Sequence, residues 1–67
     1  MTTELNATAV DQTDGTTYDL TGESVKAIAE QLKQLADNGA EVSRVAIYDE
    51  PGFVRGWAHP DGSWTAQ

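Results

Sequence analysis

Residues 21–39, TGESVKAIAEQLKQLADNG, decide the fold. Val25, Ile28, Leu32 and Leu35 recur at the three- and four-residue steps that put side chains on one helix face, and Ala29 and Ala36 widen that stripe. Lys26, Glu30, Lys33, Gln34 and Asp37 fall on the other side, where Lys26 with Glu30 and Glu30 with Lys33 have the spacing of solvated ion pairs. Thr21 suits the N-cap, with Glu23 in the first turn near the positive end of the dipole and Leu20 against Val25 as a hydrophobic staple. Asn38-Gly39 supplies a left-handed cap at the other end, over which Ala40 can close on Leu35. A helix with one apolar face needs a second layer to bury it, so the flanking segments have to supply a sheet.

Before the helix, residues 2–10 read as a strand, with Leu5, Ala7 and Ala9 alternating against Glu4, Asn6 and Thr8. Asp11 to Gly15, DQTDG, is a turn whose Asp-Gly pair favours a hairpin, and residues 16–20 return with Thr16, Tyr18 and Leu20 on one face. After Gly39 the period changes. Residues 42–48, VSRVAIY, are rich in β-branched side chains, with Val45 and Ile47 on one face and Arg44, Ala46 and Tyr48 on the other. Asp49 to Gly52, DEPG, breaks the run, with Pro51-Gly52 fitting the central pair of a turn. Residues 53–58 return, His59 to Ser63 turn again, and Trp64-Thr65 can add a short fifth strand. The order strand, strand, helix, strand, strand predicts an α+β fold: one antiparallel sheet with the helix packed across one face, forming one domain over residues 1–67.

At 67 residues such a chain buries roughly 60% of its unfolded surface, so packing has little slack. The absence of cysteine excludes disulfides and thiolate sites and is compatible with a reducing compartment. Residues 1–10 carry no basic stretch followed by an apolar one, and no apolar run approaches a membrane span; a soluble, cytoplasmic protein without membrane partners is expected. Eleven acids against four bases give a net charge of −7, spread along the chain. That charge opposes contact with nucleic-acid phosphates and steers the protein toward a basic partner surface, or serves solubility alone.

The register of residues 53–59 governs the function. Phe53, Arg55, Trp57 and His59 alternate with Val54, Gly56 and Ala58, and either set can face the helix. If the large set faces inward, Phe53 and Trp57 complete the core and Gly56 marks a kink or bulge. If the small set faces inward, the helix approaches closely, and Phe53, Arg55, Trp57 and His59 join Arg44 and Tyr48 on the uncovered face, with Trp64 able to join. Trp, Tyr and Arg are the residue types that carry interface energy. Arg44, Tyr48, Phe53, Arg55, Trp57 and Trp64 are therefore the candidate partner-binding set.

No catalytic or cofactor chemistry is expected. His59 is the single histidine and has no partners at metal-ligand spacing. Ser63, His59 and Asp61 share one turn with no oxyanion site, and no phosphate-binding glycine motif occurs. Asp49 and Glu50 are adjacent carboxylates that diverge on an extended chain. The expected function is a non-enzymatic protein-binding module that masks a basic surface. In size, charge and lack of cysteine the chain is similar to phage-encoded inhibitors of host enzymes, an analogy of composition only. The alternatives are a homodimer through the open sheet face or an edge, and single-stranded nucleic-acid binding by stacking on Tyr48, Phe53 and Trp57 with Arg44 and Arg55 on phosphates. The net charge weighs against the last.

Overall fold

The computed structural model describes residues 4–67. Its fold is α+β, with one five-stranded antiparallel sheet among the described residues and one helix across one face. The elements are β1 (Leu5–Val10), β2 (Thr17–Gly22), α1 (Val25–Asp37), β3 (Val45–Tyr48), β4 (Val54–Ala58) and β5 (Trp64–Ala66). The strand order is β2-β1-β3-β4-β5. Because β1 pairs antiparallel with both β2 and β3, those two strands run parallel to each other. The helix supplies the crossover between them. Residues 2 and 3 of the first expected strand lie outside the described residues.

The inner face of the sheet combines small side chains with large ones. Ala7 and Ala9 on β1 and Gly56 and Ala58 on β4 are buried, while α1 contributes Val25, Ile28, Ala29 and Leu32. Ile28, Leu32 and Ile47 have no exposed surface, a burial that stabilises by about 1.5–3 kcal/mol per side chain. Leu5, Leu20 and Val45 complete the core, and Tyr18, Leu35 and Val42 pack against its margin. At Gly56 the fit is closest: a Cβ there would meet both methyls of Val25, at 3.0 and 3.2 Å, and would overlap the Thr65 carbonyl oxygen of β5. The small set of the Val54–Ala58 alternation faces the helix at Gly56 and Ala58.

The helix begins later than its sequence suggests. Thr21 and Gly22 pair with Asn6 and Leu5, so β2 stays extended and the N-cap passes to Ser24. Its Oγ accepts from the Ala27 N–H at 3.2 Å. Glu23 therefore precedes the cap, and Leu20 and Val25 enter the core directly instead of forming a staple. The C-terminus is closed as expected: the Gly39 N–H donates to Ala36 O at 3.1 Å and the Ala40 N–H to Leu35 O at 3.0 Å, with Gly39 at φ 98°. The helical ion pair is Lys33 with Asp37 at 2.7 Å; the Lys26–Glu30 and Glu30–Lys33 pairs do not form.

Two turns in the second half share one design. His59 N–H donates to Ser63 O and Gly62 N–H to His59 O, both at 3.0 Å. Asp49 N–H donates to Phe53 O and Gly52 N–H to Asp49 O, also at 3.0 Å. Each is a three-residue loop that ends on a glycine in the left-handed region, Gly62 at φ 93° and Gly52 at φ 101°. Glu50-Pro51, not Pro51-Gly52, thus occupies the centre of the β3–β4 turn, and β4 starts one residue later than expected.

The closeness of α1 to β4 sets an expected outcome. Gly56→Ala should cost about 1–3 kcal/mol in urea unfolding, with early loss of amide protection in β5. Unchanged stability would contradict the packing described.

Candidate functional site

The face opposite α1 carries no second layer among the described residues. Cross-strand pairs identify its side chains, because residues directly opposite each other share a face. Leu5, Ala7 and Ala9 face the helix, so Asn6, Thr8 and Val10 face away, and their partners Thr21, Asp19 and Thr17 do likewise. Asn6 pairs with Tyr48, which brings β3 into the same surface, and Ala46 pairs with Trp57, which adds β4. Thr65 pairs with Trp57 and closes the row.

Arg44, Tyr48 and Trp57 come together there. The Arg44 guanidinium lies over the Trp57 ring, 4.4 Å from its centroid. Such a stack is worth about 0.5–1 kcal/mol at an exposed site and holds the cation in place. Trp57 is half-buried and Tyr48 is 40% exposed.

The other three candidates lie elsewhere. The β3–β4 pairing shifts register between Ile47 and Tyr48, matching them with Gly56 and Val54 and leaving Arg55 as an extra residue in a bulge. Arg55 thus leaves the Trp57 surface. It stands 3.6 Å from Asp49 and lines a hollow with Leu5, Glu23 and Val25 at the helix N-terminal end of the sheet. Trp64 pairs with Ala58 and so sits on the helix side of the edge strand, 45% exposed. Phe53 precedes β4 at the turn and is 70% exposed, outside both the core and the Arg44–Trp57 stack. His59 closes the last turn through its backbone.

Neighbouring residues that the sequence reading passed over complete the surface. Between β1 and β3 runs a groove whose polar lining is Asn6, Thr8, Gln12, Ser43, Arg44 and Tyr48, and no carboxylate lines it. The alternation of β1 already put Asn6 and Thr8 on one face. Their adjacency to Arg44 required the strand order, which a hairpin-by-hairpin reading does not supply.

Three carboxylates serve the turns. Asp49 is buried, and its Oδ1 accepts from the Gly52 and Phe53 N–H groups at 3.1 and 2.8 Å. Asp11 accepts from the Thr13 hydroxyl and, at 2.9 Å, from the Thr13 N–H. Asp61 accepts from the Ser63 hydroxyl at 2.6 Å and its N–H at 2.9 Å, so Ser63 is tied to its own turn. Hydroxyl donation from Thr13 holds Asp11 below the usual carboxylate range, and donation from Ser63 does the same for Asp61. Asp14, Asp19, Glu41 and Glu50 are exposed, with Asp19 on the open face opposite Thr8 and Glu50 at the hollow that Arg55 lines. Among the described residues no group of three His, Cys, Asp or Glu is placed to hold a metal, and no helix is long and apolar enough to cross a membrane. Compared with family models, curated proteins and solved structures, the chain matches none.

A carboxylate whose folded pKa is depressed adds stability above its unfolded pKa and loses that contribution as pH falls through the folded value. The melting temperature should therefore drop as pH falls below about 4. Asp11→Asn with Asp61→Asn, which keeps an acceptor oxygen but cannot titrate, should flatten that acid limb. An acid limb as steep in the double variant as in the parent would show that these turns do not set it.

Proposed function

We propose that the chain is a non-enzymatic protein-binding module that masks a basic surface of a partner protein with its open sheet face. The observation that carries this reading is the Arg44–Trp57 stack beside Tyr48 on a sheet face with no covering layer. An aromatic–arginine cluster on an exposed face supplies binding energy in a few large side chains. The acidic rim and the net charge of −7 supply long-range steering toward a basic partner and oppose polyanions. Action in a reducing, cytoplasmic setting accords with the lack of cysteine.

A self-associating subunit is the competing reading, because β2 forms a six-residue sheet edge. Asp19 in the middle of that edge and the like charge of two copies favour a foreign partner instead.

The immobilised chain should retain one stoichiometric protein from a lysate of its own organism at low salt and release it at high salt. Trp57→Ala should reduce the retained amount more than tenfold with the melting temperature within a few degrees of the parent. Undiminished capture by that variant, or a dimeric mass with no captured protein, would overturn the reading.

A further inference from the structure

We infer that the open face reads a single carboxylate of its protein partner, an Asp or Glu side chain set within a basic surface, at Arg44 in the groove between β1 and β3. This rests on the binding reading above and names the chemistry at its centre.

The groove has a structural origin. The two segments meet at Asn6 with Tyr48 and again where the Gln12 N–H donates to Glu41 O at 2.9 Å. Six steps along one segment are matched by seven along the other, so the ladder cannot stay in register between these points. The groove runs along that irregular stretch.

Its lining is rich in donors. The amides of Asn6 and Gln12 and the hydroxyls of Thr8, Ser43 and Tyr48 can all donate, and Gln12 Nε2 already reaches Ser43 Oγ across one end at 3.5 Å. Arg44 supplies the positive charge. Lys33 is paired with Asp37 and Arg55 with Asp49, whereas Arg44 on this face, like Lys26 on α1, has no carboxylate partner among the described residues. Its guanidinium is held on the Trp57 ring, which leaves the N–H edge free to donate. A donor-lined groove without a carboxylate, in a chain with eleven acids, is suited to an anionic oxygen group.

The number of charges selects the class of anion. One guanidinium fork matches one carboxylate in a bidentate pair. A phosphate polymer would place further negative charges against Asp14, Asp19 and Glu41, with no second cation on this face among the described residues to offset them. The partner is thus the inverse of this surface, basic at its rim and acidic at one central point.

The test follows the Arg Nε–H and Trp indole NMR signals of the full chain while sodium acetate replaces sodium chloride at constant ionic strength. The Arg44 and Trp57 signals should shift together to saturation while Arg55 stays still, and Arg44→Lys should lose the saturable shift at Trp57. Absence of a shift, or a linear drift shared by Arg44 and Arg55, would overturn the inference. So would saturation by inorganic phosphate at a lower concentration than acetate. Trp57-dependent capture of a basic protein with Arg44 silent to acetate would sink this inference alone. Saturable acetate binding with no captured protein would leave the anion site standing and sink the protein-binding reading.

Discussion

The close seat of α1 on Gly56 and on the alanines of the inner sheet face is the constraint that orders this molecule. Val25 sits directly on Gly56, and Ile28 and Leu32 bury fully in the core that Ala7, Ala9 and Ala58 share. In a chain this short packing has little slack, and on the inner face each of Leu5, Leu20, Val45 and Ile47 is paired across the ladder with a glycine or an alanine. Period-two alternation then dictates the rest. With Gly56 and Ala58 inward, Trp57 between them must point outward. The uncovered surface is a direct consequence of how the covered one packs.

That outward surface is not left as bare hydrophobe. Trp57 is roofed by Arg44, and the bulge at Arg55 breaks the row before it reaches the turn. On this face Asp19 stands on the edge strand, while the other acids of the described residues lie in turns and loops and on α1. Asp11, Asp49 and Asp61 each bend back to cap their own turn, which converts negative charge into local order. Of the two cations left without a carboxylate among the described residues, Lys26 lies on α1 and Arg44 on the open face. That pattern is more specific than overall charge, since it distinguishes a basic surface with an acidic centre from a uniformly basic one.

Much of this was legible in the sequence, and the remainder failed for identifiable reasons. The i, i+3, i+7 stripe from Val25 placed the helix and its buried face. The alternations of Leu5–Ala9 and Val45–Ile47 placed the strands that it covers. The N-cap was misplaced because Thr21 and Ser24 are both good caps, and the choice fell to ladder pairs with β1, which local sequence does not contain. The candidate surface was split for a similar reason. Arg44, Tyr48 and Trp57 share a face through regular alternation. Arg55 departs because a one-residue bulge changes which way a strand residue points, and Trp64 departs because its face depends on pairing with Ala58. The β1–β3 groove was invisible because it lies between strands far apart in sequence.

The most direct measurement is the set of nuclear Overhauser contacts made by the Trp57 ring in solution. The ring should contact the Arg44 side chain and the Ala46 methyl, while the Val25 methyls contact the Gly56 α-protons. Contacts from the Trp57 ring to the methyls of Ile28 or Leu32 would instead put the indole under the helix. The open face would then lose its anchor, and with it both the binding reading and the carboxylate site.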